Sequence, residues 1–153
     1  MSQPCYNMYI YNRNGICLNY TEWSRGKPTA NMADEQKTMF GLLFTLKTFA
    51  SAMDPTTAVK GPLGAALAPG QGCSFHSFKT NTYKLHLMET PSGIKLVLNT
   101  DPAVGDLREA LQHIYSAIYV EYVVKNPLYK PGEKFESELF TKHLNNFVRT
   151  LSA

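Results

Sequence analysis

Two neighbouring segments of the chain, residues 83–89 and 94–100, alternate apolar with polar positions. The alternating apolar side chains are Tyr83, Leu85 and Leu87 in the first segment and Ile94, Leu96 and Leu98 in the second. Alternation of this kind is typical of β-strands that each present one apolar face. Between the segments, Pro91 fixes one corner of a turn and Gly93 tolerates a positive φ. The pattern therefore predicts a β-hairpin.

A second alternating pair of segments lies near the N-terminus. Tyr6, Met8 and Ile10 alternate with Asn7 and Tyr9, residues 12–15 are typical of a turn, and alternation resumes over residues 16–23. This arrangement predicts another hairpin. A short strand is also expected over residues 73–80, directly before the hairpin at 83–100. The sequence thus predicts five strands.

From residue 34 the apolar residues recur at helical spacing. They form one stripe, made of Met39, Leu42, Leu43, Leu46, Phe49 and Met53. We expect Asn31 to cap this first helix, Asp34 and Glu35 to suit the positive end of its dipole, and Asp54 and Pro55 to end it.

Two further helices are expected in the C-terminal third of the chain. The second is predicted over residues 106–125, because Pro127 follows its end. The third is predicted over residues 138–151, with Ser137 as its cap. The apolar residues expected on one face of the third helix are Phe140, Leu144, Phe147 and Leu151.

The order of these elements is strand, strand, helix, three strands, helix, helix. It predicts an α+β fold, with a five-stranded antiparallel sheet carrying one helix on one face and two on the other. That is the longin-like (profilin-like) architecture. We expect a single domain over residues 1–153, with polar residues 24–33 as a loop and the glycine- and proline-rich residues 55–72 as a mobile loop.

The composition narrows the classes of function. With 153 residues and 44% hydrophobic content, the chain is the size of one domain. Its net charge of +3 is too small to indicate binding to nucleic acid or to an anionic membrane. We expect no export signal and no membrane span, and hence a cytosolic protein. Cys5, Cys17 and Cys73 are expected to be reduced and buried.

Residue patterns for catalysis or metal binding are not found. The four histidines, at positions 76, 86, 113 and 143, lack metal-ligand spacing. Gly26 and Lys27 do not belong to a P-loop, and Cys73 and His76 are expected on opposite faces of a strand. We therefore expect no metal, no cofactor and no catalytic residues.

Several segments, taken in order, carry a specific resemblance. They are NMYIYNRNG (7–15), EWSR (22–25), KTMFGLLFTLK (37–47), YKLHLMETPSGIKLVLNTD (83–101), YSAIYVEYVVKNPL (115–128) and FESELFTKHLNNFV (135–148). Together they resemble the longin-like, sybindin-related family of trafficking protein particle (TRAPP) complex subunits, commonly called subunit 1. Residues 55–72 are longer than the family's usual connection at that place.

The resemblance implies a structural subunit of a vesicle-tethering complex that acts in transport from the endoplasmic reticulum to the Golgi. It also implies a contribution to guanine nucleotide exchange on a Rab-family GTPase. The partners implied are other TRAPP subunits, longin-like and not, and the GTPase through the assembled complex. The chain would then be no enzyme alone, and would be cytoplasmic and peripheral at the Golgi and endoplasmic reticulum.

Two helices have more apolar residues than one buried stripe needs. The second helix is apolar on more than one face, and the first has aromatic residues off its main stripe. The candidate subunit-interface residues are Phe40, Phe44, Tyr115, Tyr119 and Tyr122. For the second helix, burial under the third helix is an equal alternative; for the first, a subunit contact is favoured.

The candidate GTPase-binding residues lie after the first hairpin and at the start of the first helix. They are Trp23, Arg25, Lys27, Asp34 and Lys37. An aromatic side chain beside mixed charges is typical of a binding hot spot. The alternative is a Trp that packs under its loop and charges that are merely solvated.

Two other classes of function stay open from the sequence. One is a free-standing longin-type adaptor or regulatory domain that binds a coat or SNARE partner. A SNARE would need a heptad segment and a membrane anchor, and the chain ends at Ala153 without either. The other is a small-molecule hydrolase, which would be recognised by turnover of an ester or phosphate.

Overall fold

The computed structural model of the protein describes residues 4–24, 31–55, 76–130 and 132–151. The expected loop beyond residue 55, most of the loop at 24–33, and Arg25, Lys27 and Cys73 lie outside these residues. The elements are β1 (Cys5–Tyr11), β2 (Cys17–Glu22), α1 (Met32–Met53), β3 (Ser77–Lys79), β4 (Lys84–Glu89), β5 (Lys95–Thr100), α2 (Arg108–His113), a π-helical segment (Ile114–Val124) and α3 (Glu138–Leu151).

The strands form one antiparallel sheet in the order β2-β1-β5-β4-β3. The two predicted hairpins are joined through β1 and β5, where Met8 lies opposite Leu98 and Ile10 opposite Leu96. The predicted five-stranded antiparallel sheet is therefore confirmed.

The turns of the two hairpins touch each other. The amide of Gly93 donates to the carbonyl oxygen of Thr90 at 2.9 Å, and its φ is +93°, as its place in the turn predicts. A Cβ at Gly93 would lie 2.6 Å from Cβ of Arg13, in the turn between β1 and β2. Glycine is needed here both for its φ and for this close approach.

The sheet is covered on both faces. Towards α1 it packs Tyr9, Tyr11, Cys17, Leu85, Leu87 and Val97. Towards the other helices it packs Cys5, Met8, Ile10, Leu18, Leu96 and Leu98. One helix on one face and two on the other is the predicted layering. Strands that present a single apolar face are buried on one side only. Here β1 and β5 lie inside the sheet with helices over both of its faces, so side chains on both sides of these strands are buried.

Helix α1 begins as predicted. The side chain of Asn31 accepts hydrogen bonds from the amides of Ala33 and Asp34, at 3.1 and 3.3 Å. The expectation that its apolar stripe faces the core is wrong for the C-terminal part of the helix. Leu43 is buried, but Phe49 is 51% exposed and Met53 78% exposed. The helix is rotated so that its smaller Thr48 and Ser51 lie inward and the end of the stripe faces outward.

The second predicted helix begins and ends close to the expected bounds, but most of it is a π-helix. Residues 108–113 are α-helical and residues 114–124 are π-helical, with bonds such as Lys125 amide to Val120 carbonyl at 3.0 Å. Bonds from i to i+5 give more residues per turn than the 3.6 of an α-helix. Residues four or five apart therefore share a face. The four buried ones are Ile114, Ile118, Tyr119 and Val123.

Helix α3 begins as predicted, since Ser137 Oγ accepts a hydrogen bond from the amide of Phe140 at 3.3 Å. Its buried residues are Phe140, Leu144 and Val148. Phe147 lies at the edge of this face, where its ring stacks on His113 at 4.4 Å.

Candidate interaction surfaces

The titratable side chains that could support chemistry are dispersed. No group of three or more His, Cys, Asp or Glu side chains that could hold a metal is found in the part of the chain that the structure describes. His76 is exposed, while His113 and His143 stack on the rings of Phe147 and Tyr122. Cys5 and Cys17 are buried, as predicted.

His86 is the buried histidine, and its role is structural. Thr100 Oγ1 donates to the carbonyl oxygen of Asp101 at 3.2 Å, so it accepts a hydrogen bond from the Nε2–H of His86, 2.9 Å away. Burial, with a smaller effect of the nearby Lys84, lowers the pKa of His86 to about 4 against the opposing effect of Asp106. His86 is therefore neutral at neutral pH.

The structure separates the candidate GTPase-binding residues that it describes. Trp23 is half-buried on the α3 side of the sheet, where its indole Nε1 donates to Asn145 Oδ1 at 2.7 Å. Asp34 and Lys37 are exposed on α1, on the opposite face. The alternative that Trp23 packs under its loop therefore describes its position. Trp23 does not stand beside Asp34 and Lys37 as an exposed anchor.

A groove lies beside the first half of α1. It has a volume of about 840 Å³, and Ser24, Glu35 and Thr38 are among its lining residues. In it, Asn99 Nδ2 donates to Asn7 Oδ1 at 2.8 Å, and Asn99 Oδ1 has no hydrogen-bond partner among the residues described. Size and a largely apolar lining of this kind are typical of a binding site. The groove connects the end of β2 to the start of α1, the two places where the GTPase-binding residues are expected.

The outward end of α1 forms a second surface, which we call the α1 outer face: Leu46, Phe49 and Met53. Phe49 is 51% exposed and Met53 is 78% exposed. A cleft of about 290 Å³ lies between this face and Phe78 of β3, a strand at the edge of the sheet. Adjacent exposed apolar side chains of this size mark a protein-interaction site.

The sequence did not assign Phe49 and Met53 to an interface, because their spacing placed them on the same stripe as Leu43. The small polar residues Thr48 and Ser51 on the opposite side of the helix were the available signal. They allow close approach to the sheet from the other side of the helix.

Phe40 and Phe44, predicted together as interface residues, have different surroundings. The Phe40 ring packs 5.6 Å from that of Tyr11, and Lys95 Nζ lies 5.5 Å from its centre. Phe40 is thus part of the packing between α1 and the sheet, whereas Phe44 is 38% exposed.

The tyrosines of the π-helical segment also differ. Tyr119 is 4% exposed and packs against Phe135, so it has almost no surface to offer a partner. Its assignment to a subunit interface is corrected, because the π-helical winding turns it inward. Tyr115 stacks on Tyr119 at 5.6 Å and Tyr122 on His143 at 4.3 Å. Both remain half-exposed.

Within the described residues, no helix is both long enough and apolar enough to cross a membrane.

Comparisons with known proteins all indicate the same family. Residues 5–151 match the Sybindin-like family. The chain is 46% identical over 147 residues to trafficking protein particle complex subunit 1 of Rattus norvegicus, covering 95% of this chain and 92% of the relative. It is 40% identical over 146 residues to the subunit 1 of Dictyostelium discoideum, covering 95% of each. It is 33% identical over 165 residues to the transport protein particle subunit bet5 of Schizosaccharomyces pombe, covering 96% and 97%.

Proposed function

The chain belongs to the Sybindin-like family, and from that premise we propose that it is a structural subunit of a trafficking protein particle complex. The observation that carries the proposal is near-full-length similarity to subunits named for this complex. The complex would tether vesicles between the endoplasmic reticulum and the Golgi, and the chain would be cytoplasmic and peripheral at those membranes.

The α1 outer face supports a structural role within an assembly. Phe49 and Met53 are too exposed to stabilise the isolated chain by burial, and Phe78 continues the apolar surface onto the edge of the sheet. A second longin-like subunit placed here would cover both the helix and the edge strand.

The half-exposed Tyr115 and Tyr122 are proposed for a second contact, on the opposite side of the sheet. Val124 and Leu139, 53% and 57% exposed, add apolar surface to that side. A subunit with contacts on both faces of its sheet would occupy an internal place in the assembly.

The contribution to Rab exchange is proposed at the start of α1. Asp34 and Lys37 are exposed there beside the 840 Å³ groove, and Arg25 and Lys27 belong to the adjoining loop in sequence. Exchange needs shape and a few contacts to the switch segments of a GTPase, and no nucleophile or acid–base pair of this chain's own. The activity would therefore belong to the complex.

Copurification tests membership of the complex. Tagged chain expressed in cells and recovered in low salt is expected to carry other TRAPP subunits, identified by mass spectrometry. Recovery of the chain alone, or with a coat or SNARE partner in their place, would contradict the proposal and favour an adaptor.

Exchange is tested with the assembled complex. Release of a fluorescent guanine nucleotide from a Rab GTPase is expected to slow when Asp34→Ala and Lys37→Ala are combined. The matched control is Lys125→Ala, an equally exposed lysine at the far end of the π-helical segment. Equal exchange rates for the Asp34 and Lys37 double variant and for the Lys125 control would show that Asp34 and Lys37 do not belong to the GTPase surface. That result would not contradict membership of the complex.

A further inference from the structure

A further cavity lies between the middle of α1 and the turns of the two hairpins, on a different side of α1 from the α1 outer face. It has a volume of about 320 Å³, and Phe40 and Phe44 form part of its wall. Lys47 from α1, Lys95 from β5 and Arg13 from the first turn bring three positive charges to its lining. Sequence reasoning did not assign these residues, because they lie far apart along the chain.

One carboxylate faces these cations. Lys47 Nζ lies 3.1 Å from Glu89 Oε1, and Lys95 Nζ lies 3.9 Å from Glu89 Oε2. The three side chains are only 12%, 14% and 10% exposed for Lys47, Lys95 and Glu89 respectively. The ion pairs are therefore shielded from solvent. Electrostatic interactions at such a shielded site are stronger than at an open surface.

The charges of this cavity do not balance. Glu89 is the single acid among its described lining residues, against Lys47, Lys95 and Arg13, so the formal sum is 3 − 1 = +2. Burial lowers the pKa of Lys95; Glu89 opposes that effect, while Lys47 and Arg13 add to it. Holding more than one cation around one carboxylate is unfavourable unless another anion approaches.

We propose that the cavity receives an acidic side chain of a partner subunit in the assembly. The partner's carboxylate lies between Lys47 and Lys95, within reach of Arg13, and its aliphatic stem packs against Phe40 and Phe44. This inference rests on the proposed function, which supplies the partner.

Three features select a carboxylate on an apolar stem. The excess positive charge requires an anion. The aromatic wall suits the methylene groups of a glutamate better than it suits a bare ion, because a bare ion would leave that wall unpacked. Phe44 is 38% exposed and forms part of the cavity wall, so a partner that packs against its ring also reaches the charged lining.

The cavity can be tested on the isolated chain with sodium phenylacetate, which joins a carboxylate to an aromatic body. Titration followed by amide NMR shifts is expected to move the signals of Arg13, Phe44, Lys47 and Lys95. Phenylethylammonium, of similar shape and opposite charge, is expected to move none of them. Inorganic phosphate is expected to bind more weakly than phenylacetate; tighter binding of phosphate would overturn the choice of a carboxylate.

Two variants are expected to change phenylacetate affinity in opposite directions. Lys95→Met keeps the stem beside Phe40 and removes the charge, and should weaken binding about tenfold. Glu89→Gln removes the competing carboxylate and should tighten binding about threefold or more. The control Lys125→Met alters an exposed lysine paired with Glu121 at 3.0 Å and should leave binding unchanged.

The gain in Glu89→Gln is the decisive result, because an ion pair that only stabilises the fold gives no reason for tighter anion binding. Unchanged or weaker binding by Glu89→Gln would overturn the proposal, even if Lys95→Met failed to fold. Absence of phenylacetate shifts in a chain that still copurifies with TRAPP subunits would reject the cavity and keep the function. Phenylacetate shifts in a chain that copurifies with no TRAPP subunit would keep the cavity and reject the proposed function.

Discussion

At the scale of single residues, four of the buried polar side chains of this protein form two hydrogen-bonded pairs. His86 and Thr100 form one such pair, and Asn7 and Asn99 another. Both pairs join neighbouring strands of the central sheet. A buried polar group without a partner costs stability, so pairing across strands lets these residues occupy places that pattern alone would give to apolar ones.

The buried neutral His86 makes stability depend on pH. Its folded-state pKa, about 4, lies below the ordinary value of 6.5. At pH values between these two, the unfolded chain therefore binds the proton more readily than the folded chain does. The stabilisation is therefore complete above about pH 6.5 and is lost as pH falls towards 4. We expect the free energy of unfolding to drop by roughly 2 kcal/mol between about pH 7.5 and pH 5 from this residue.

Urea unfolding at both pH values measures the effect. His86→Gln can still bond to Thr100 but does not titrate, so its drop over this range should be smaller by that amount. His76→Gln alters an exposed histidine and should retain the full drop. An equal drop in the His86→Gln variant and the unmodified chain would show that His86 is not the group responsible.

At the scale of elements, helical periodicity located the helices and misjudged which sides of them are buried. In α1 the stripe turns away from the sheet beyond Leu46, leaving Phe49 and Met53 outward. In the π-helical segment the excess of apolar residues is taken up by a different winding, which brings Ile118 and Tyr119 to one face. A rule of 3.6 residues per turn could not predict either outcome, because both depend on the tertiary contacts of the helix.

Two adjacent valines test which side of the π-helical segment is buried. Val123 is 2% exposed, and Val124, which is the next residue and has the same side chain, is 53% exposed. Val123→Ala should lower the free energy of unfolding by roughly 2 kcal/mol, because it removes buried methyl groups and leaves a cavity. Val124→Ala should change it by less than about 0.5 kcal/mol.

Urea denaturation of the two variants provides the comparison, and each valine serves as the other's control. Similar costs for both substitutions would mean that the segment does not present Val123 and Val124 to such different surroundings.

At the scale of the whole molecule, the sheet is covered on both faces by helices. Among the residues that the structure describes, β2 and β3 form the two edges of the sheet, and β3 has only three residues. Next to β3 lies the apolar α1 outer face, so an edge strand and an exposed apolar helix end occur side by side. That combination fits a chain that completes its burial by joining another.

Substitution at this face should separate assembly from folding. Phe49→Ser is expected to weaken binding to the other longin-like subunit at least about tenfold, because it removes an exposed aromatic anchor. The free energy of unfolding of the isolated chain should change little, since Phe49 is half-exposed.

Size-exclusion chromatography of the mixed subunits, with a binding titration, measures the loss. Leu139→Ser is the matched control, since Leu139 is 57% exposed on α3, on the opposite side of the sheet. If Leu139→Ser weakened this heterodimer and Phe49→Ser did not, the contact would lie on the other side of the molecule.

The sequence by itself determined the elements and their order, because alternation, helical spacing, capping by Asn31 and the turn at Gly93 are local properties. The family was indicated by the resemblance of its motifs, taken in order along the chain. The layering followed, since five strands and three helices have few ways to bury their apolar sides. Only the tertiary structure decided the rest: that Trp23 packs towards α3, that Tyr119 is buried, and that Phe49 is not. Each of these depends on contacts between residues distant in sequence, which no local pattern records.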